Sequence, residues 1–186
     1  MSIITFDVSG AIEGLEQMPR RSRRAIARGL NKGAGNVRTV ASSAIRKRRA
    51  LSAKTVREAM AIRKATQERL VSSLVVTGRP IPLKDYKARQ TKKGVTAQVS
   101  PGKRKLISHR GNRAFIVQKI GAHVFAREGK ARLPIKKLFG PSLPSTFVQE
   151  EVRAAWTATA SDALPKRIAE EVRFELLKKQ LRKGKA

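Results

Sequence analysis

The chain has 186 residues, with 42 Lys or Arg against 13 Asp or Glu and a formal net charge of +29. That length suits one domain, or one with a helical extension, and a hydrophobic content of 40% excludes a wholly disordered basic tail. Cysteine is absent, which excludes a disulfide framework, a thiolate nucleophile and a thiolate metal site.

Residues 3 to 8 alternate as a short strand, after which Ser9 is placed to cap a brief helix presenting Ile12, Leu15 and Met18. Pro19 suits the first turn of a second helix. That helix is predicted over 20–49, because Ile26, Leu30, Ala34, Val37, Ala41 and Ile45 recur at three- and four-residue spacing. Gly29, Gly33 and Gly35 each weaken it by about 1 kcal/mol relative to alanine, and mark either a kink or the close crossing of another backbone. Ser52 reads as the N-cap of a short helix carrying Val56 and Met60. Strands are predicted over 69–77, closed by Gly78, Pro80 and Pro82, and around Val95, Ala97 and Val99, ending at Pro101-Gly102. Residues 114–117 and 123–126 form a candidate hairpin across Gly121. The stretch 128–146 reads as an ordered loop. A final helix begins near Ser145 with Val148, Val152, Ala155 and Trp156 on one face; Pro165 is expected to end or kink it. It resumes with Ile168, Val172, Leu176 and Leu177 and frays after Lys178.

The fold expected is α+β, with a long N-terminal helix, a small largely antiparallel β-sheet and a kinked C-terminal helix. The division expected is a basic α+β body over 1–145 and a C-terminal helical segment with a frayed basic tail over 146–186. No apolar run reaches the about 18 residues that a spanning helix needs, so no membrane span is expected, and the absence of cysteine fits an expected life in the cytoplasm before any outside it.

Little in the chain suggests catalysis. His109 and His123 lie in separate segments with no acid nearby in sequence, and read as ordinary surface or hairpin histidines. Glu150-Glu151 and Glu170-Glu171 are adjacent pairs, and helical neighbours diverge by about 100°. They read as solvated charges pairing with Arg153, Arg167 or Arg173. The glycine-rich run from Gly29 to Gly35 lacks both the Lys-Ser/Thr ending and the preceding strand of a phosphate loop. A nuclease would need clustered carboxylates that are absent from the sequence. No enzyme activity, cofactor or metal is expected.

The charge is more informative. No acid occurs between Glu16 and Glu58 or between Asp85 and Glu128. An excess of this size opposes compactness unless counter-charges lie nearby, so a polyanionic partner is expected: nucleic acid, an anionic membrane, or an acidic protein surface repeated around an assembly. The candidate contacts are Arg20, Arg21, Arg23 and Arg24 at one end of the long helix and Arg46, Lys47, Arg48 and Arg49 at the other. Lys103, Arg104 and Lys105, and Lys136 and Lys137, sit in or near loops. Such clusters suit a phosphate backbone whatever its sequence, or acidic protein neighbours. Base reading has less support, because one Trp and one Tyr supply no stacking platform.

The run from Arg132 to Ser142, RLPIKKLFGPS, resembles a stretch of the phage minor tail protein Z family. Arg28 to Lys32 (RGLNK), Gly78 to Leu83 (GRPIPL) and Lys87 to Val95 (KARQTKKGV) add to the likeness, which covers about residues 5 to 180. Within the first run Pro134, Phe139, Gly140 and Pro141 are the candidate structural loop residues, with Phe139 anchoring to the core or to a partner. The resemblance implies a non-enzymatic virion component acting in tail assembly or completion, near a tube end or the neck. It would be oligomeric in the virion, with other tail or neck proteins as partners and nonspecific DNA contact open. The alternative is a sequence-independent nucleic-acid-binding protein.

Overall fold

In the computed structural model, residues 2–7 and 18–183 are described, the side chains of 179, 182 and 183 aside. The short helix expected after Ser9 lies outside them, apart from Met18. They divide into two compact units, one of residues 1–41, 60–77 and 148–186, the other of 42–59 and 78–147.

The first unit contains strand β1 (Ser2–Asp7) and most of helix α1 (Arg20–Arg48), then strands β2 (Met60–Arg63) and β3 (Val71–Val76). β3 is central, antiparallel to β1 on one side and β2 on the other. Its Ser72, Leu74 and Val76 are fully enclosed, as is Val75 nearly so. The Ser72 hydroxyl is accommodated by donating to Arg63 O at 3.2 Å. Met60, read as the tail of a helix, instead opens β2 opposite Val76.

The three- and four-residue spacing of α1 is realised as a buried face: Ile26, Leu30, Ala34, Val37 and Ala41 are all at or near zero exposure. Asn31 on this helix grips the loop between β2 and β3 with both ends of its amide, donating to Ala65 O at 3.0 Å and accepting from Ala65 N at 2.8 Å.

The second long helix of this unit, Glu150–Lys183, runs without interruption through Pro165. A helix-interior proline removes one hydrogen bond and costs about 3 kcal/mol, so packing must offset it. The residues on either side do so: Leu164 and Ile168 lie against Gly33 and Gly29 of α1. A β-carbon on Gly29 would stand 2.6 Å from Ile168 Cα, and one on Gly33 would stand 2.5 Å from Leu164 Cδ2. Of the two explanations for these glycines, the close crossing of another backbone holds for Gly29. Gly33 leaves room for a leucine side chain, and Gly35 faces open space.

The second unit takes residues 42–48 of α1, followed by helix α2 (Ala53–Glu58), capped by the Ser52 hydroxyl accepting from Thr55 N at 3.1 Å. Three small antiparallel sheets follow. The largest joins β5 (Arg89–Thr91), β6 (Gly94–Ser100), β7 (Lys103–His109) and β8 (Asn112–Arg113) in chain order. β9 (Phe115–Val117) and β11 (Ile135–Lys137) flank β10 (His123–Arg127), and β4 (Ile81–Pro82) pairs with β12 (Phe139–Gly140). The stretch 128–146 is thus more than a loop: it holds β11, β12 and most of a short helix α3 (Leu143–Phe147), ahead of the long C-terminal helix, which is α4.

Tyr86 stands at the centre of this unit. Its ring is fully buried and its hydroxyl donates to Pro141 O at 2.6 Å. The ring occupies the space that a β-carbon on Gly140 would need. The fold is α+β, with a long N-terminal helix, small antiparallel sheets and a C-terminal helix. Among the described residues no helix is long and apolar enough to cross a membrane.

Two glycines of α1 give opposite expectations. Gly29→Ala should lower stability by about 1–3 kcal/mol, because backbone must move to admit the methyl group. Gly35→Ala meets nothing within 4 Å and should raise stability by up to about 1 kcal/mol through helix propensity alone. Chemical denaturation followed by circular dichroism measures both, and effects of the same sign would contradict the crossing.

Candidate functional site

The four arginines at the start of α1 do not form one uniform patch. Arg20, Arg21 and Arg24 are exposed, but Arg23 is half-buried and donates to Glu68 O at 3.2 Å, while Arg24 reaches Gln67 Oε1 at 3.4 Å. Hydrogen bonds from the Gln67 side chain, then from local backbone and Thr66, and last the charge of Arg20 lower the Glu68 pKa. Arg23 and Arg24 therefore help to hold the 66–68 loop, leaving Arg20 and Arg21 as the freer charges of this cluster.

At the other end of α1, Arg46 and Lys47 are exposed, and Arg48 and Arg49 are half-buried. Arg49 Nε donates to the fully buried Thr146 hydroxyl at 2.9 Å, so this side chain ties the end of α1 to α3. Lys103, Arg104 and Lys105 lie on β7, a strand that its charged sequence concealed, and all three are exposed. Arg104 is engaged with Lys87 O at 2.6 Å.

Lys136 and Lys137 fall on β11 and point differently. Lys136 is exposed; Lys137 is half-buried, donates to His123 Nε2 at 3.0 Å and lies 5.4 Å from the centre of the Phe139 ring. An ammonium can only donate, so neutral His123 accepts through Nε2 and carries its proton on Nδ1. Burial first, then the charges of Lys137 and Lys84, lower the His123 pKa. Lys84, absent from every cluster read in the sequence, comes to this place from a 3₁₀ turn over 83–86, where it donates to Gly121 O at 3.3 Å. It stands alone between Leu83 and Asp85, and only the fold brings it to the neighbourhood of His123.

In the 132–142 segment, Gly140 and Pro141 are structural through Tyr86. Pro134 is exposed and follows a cis peptide bond. Phe139 is 48% exposed, so of its two readings the structure leaves no core anchor; its ring faces outward beside Lys137.

Glu171 corrects the expectation that the adjacent acid pairs are solvated charges. Glu170 does pair with Arg167, at 2.7 Å, and Glu150 lies 3.9 Å from Arg153. Glu171 instead is 8% exposed and binds α1: Arg28 Nε at 2.8 Å, and Lys32 Nζ closer still. Glu175 adds a second contact to Arg28 at 3.1 Å. Hydrogen bonds from Lys32 and then Arg28 lower the Glu171 pKa, while those same acids raise that of Arg28. Two cations of the basic half of the chain are thereby neutralised within the first unit. Among the described residues no three of His, Asp or Glu stand together to hold a metal ion.

A family model described as prophage minor tail protein Z matches residues 7–182 of the chain. No curated protein and no solved structure matched it.

Two titrations follow from this geometry. A Glu171 carboxyl with a depressed pKa contributes stability above the unfolded value near 4.5, lost as pH falls through the lower folded value. Glu171→Gln should therefore cost about 1–2 kcal/mol at neutral pH, discounted because Arg28 and Lys32 are partly exposed, and should flatten the acid limb of the stability curve. An unaltered acid limb in denaturant melts would contradict the linkage.

Tyr86 behaves in the opposite sense. Burial pushes its phenol up to about 12, so its stabilising contribution is complete below the unfolded value near 10 and disappears as pH rises through the folded value. It is the one tyrosine of the chain, so ultraviolet titration of the phenolate reads it alone. A midpoint near 10 in the native protein would show the ring to be accessible.

Proposed function

We propose, for a chain that belongs to the prophage minor tail protein Z family, that it completes the phage tail at a tube end or at the neck, its basic surface held against acidic faces of neighbouring tail proteins. Family membership carries the coarser statement on its own: the protein has a structural role in the phage tail, works with other virion proteins and resides in the virion tail. The placement at an end of the tail is the finer reading. So is a ring of copies, in which symmetry repeats each cluster around an axis, and assembly in the host cytoplasm before incorporation.

One observation supports this reading most: exposed cations left without partners. Arg46, Lys47, Lys103, Lys105 and Lys136 are exposed, and none makes an ion pair or side-chain hydrogen bond with another described residue. The same unit also exposes apolar side chains, Leu106 at 55% and Phe139 at 48%. Exposed apolar side chains and uncommitted charges on one unit suit a protein partner, because complementary charge steers the encounter and fixes register while the apolar groups supply burial. The second reading, sequence-independent binding to nucleic acid, draws on the same cations through counterion release.

The two readings separate in one experiment. Replacing Arg46, Lys47, Lys103, Lys105 and Lys136 by Gln leaves only exposed positions changed. Variant protein supplied to phage lacking its own copy should enter tails poorly and restore few infectious particles, as counted by plaque titre and by blotting purified tails. Normal incorporation and titre would overturn the proposal. Normal incorporation together with a shallower salt dependence of DNA binding would favour the second reading.

A further inference from the structure

We propose that a cavity walled by Lys92, Arg113 and Arg127 in the second unit binds phosphate groups of a nucleic-acid backbone. The cavity measures about 390 Å³, and Gln90, Asn112 and Phe115 are among the other residues of its wall. Its three cations come from three places: Lys92 from the turn between β5 and β6, Arg113 from β8, and Arg127 from the end of β10. None belongs to the candidate contact clusters named from the sequence, although Lys92 has Lys93 beside it. The hairpin that carries Arg113 turns at Arg110 and Gly111, both with left-handed φ (49° and 77°), the geometry of a tight two-residue connection.

The amides of the wall are committed to the scaffold. Asn112 Nδ2 donates to Arg127 O at 3.1 Å and to Gly129 O at 3.2 Å, which ties β8 to the end of β10. Gln90 Oε1 accepts from Ile116 N at 3.0 Å. The cations, by contrast, are uncommitted: all three are exposed, and among the described residues none forms an ion pair or a side-chain hydrogen bond. No acid lines the cavity, and the sequence supplies none between Asp85 and Glu128. Three like charges held around one space by a fixed frame repel each other, and an anion entering that space relieves the repulsion.

The geometry favours phosphate over carboxylate. Guanidinium groups offer parallel donors that match the oxygens of a tetrahedral oxyanion, and one carboxylate would leave most of the charge uncompensated. A nucleic-acid strand instead brings successive phosphates to neighbouring cations. Phe115, half-buried in the wall, gives the attached sugar or base an apolar surface to lie on, which a free phosphate ion would not use. The inference rests on the chemistry of this cavity and holds or fails independently of the tail role.

The test uses full-length protein and labelled oligonucleotides, single- and double-stranded, with affinity measured across a salt series by fluorescence anisotropy. Changing Lys92, Arg113 and Arg127 together to Gln should reduce the slope of log affinity against log salt by about 2–3 units. Changing Arg46, Lys47 and Lys136 to Gln removes the same charge elsewhere and should reduce it by less than half as much. Equal reductions would overturn the site, leaving only general electrostatic attraction. Should the triple variant melt early, the single variants Lys92→Gln and Arg113→Gln take its place, each expected to lower the slope by about one unit; no change in either overturns the site. Inorganic phosphate that binds by calorimetry and is lost in the variants, with oligonucleotide affinity unchanged, would overturn the nucleic-acid source. Polyglutamate competing as well as oligonucleotide, charge for charge, would overturn the preference for phosphate.

Discussion

Two helix backbones approach closely only where a side chain is missing, and the first unit depends on one such place. Gly29 of α1 lets Ile168 of α4 come to a distance that no β-carbon would tolerate. Everything else along that contact is then in register. Glu171, three residues beyond Ile168, falls between Arg28 and Lys32, and Glu175, one turn further, reaches Arg28 again. Pro165 is carried inside α4 because the residues around it, Leu164 and Ile168, are the ones seated on α1. Glu171 and Glu175 thus act as fixed counter-charges to a helix with none of its own.

The second unit is organised on different terms. Its sheets are short, and several of its strands span only two or three residues, too few for ladder hydrogen bonds to define the fold alone. Definition comes from side chains and turns that tie the pieces together: Tyr86 against Gly140 and Pro141, Arg49 on Thr146, Asn112 across to Arg127 and Gly129. The 132–142 run that carries the family likeness is in part this scaffolding. Its glycine exists to admit a ring from elsewhere in the chain, while Phe139 and Lys136 of the same run face solvent.

Sequence reading recovered what depends on local periodicity. The long helix, the Ser52 cap, β3, β6 and the hairpin of β9 and β10 all follow from spacing or from a side chain with one local role. It missed elements whose signal is not local. β7 is basic at its start, with no apolar alternation, and exists because β6 pairs with it. β2 was read as the end of a helix, since Met60 continues the apolar spacing from Val56. β11 and β12 hide in a proline- and glycine-rich stretch. The site shows the same divide: runs of consecutive cations were legible, although Arg23, Arg24, Arg49 and Arg104 prove to be engaged within the fold. Lys92, Arg113 and Arg127 are far apart in sequence and come to one cavity only through strand pairing, while Lys84, from another turn, comes to His123. Glu171 looked like its neighbour Glu170, and only the partner helix distinguishes them.

The start of α1 is electrostatically frustrated. A helix N-terminus carries partial positive charge from its unpaired amides, yet α1 has no acid in its first turn and begins with Arg20, Arg21 and Arg23. Its last turn, with Arg46, Lys47 and Arg48, is by contrast arranged as the helix dipole favours. Within the chain the start of the helix finds its acceptors outside the helix, Arg23 on Glu68 O and Arg24 on Gln67 Oε1, so the charge that the dipole disfavours becomes the means by which the 66–68 loop is held, and any anion that bound there would couple its binding to folding stability.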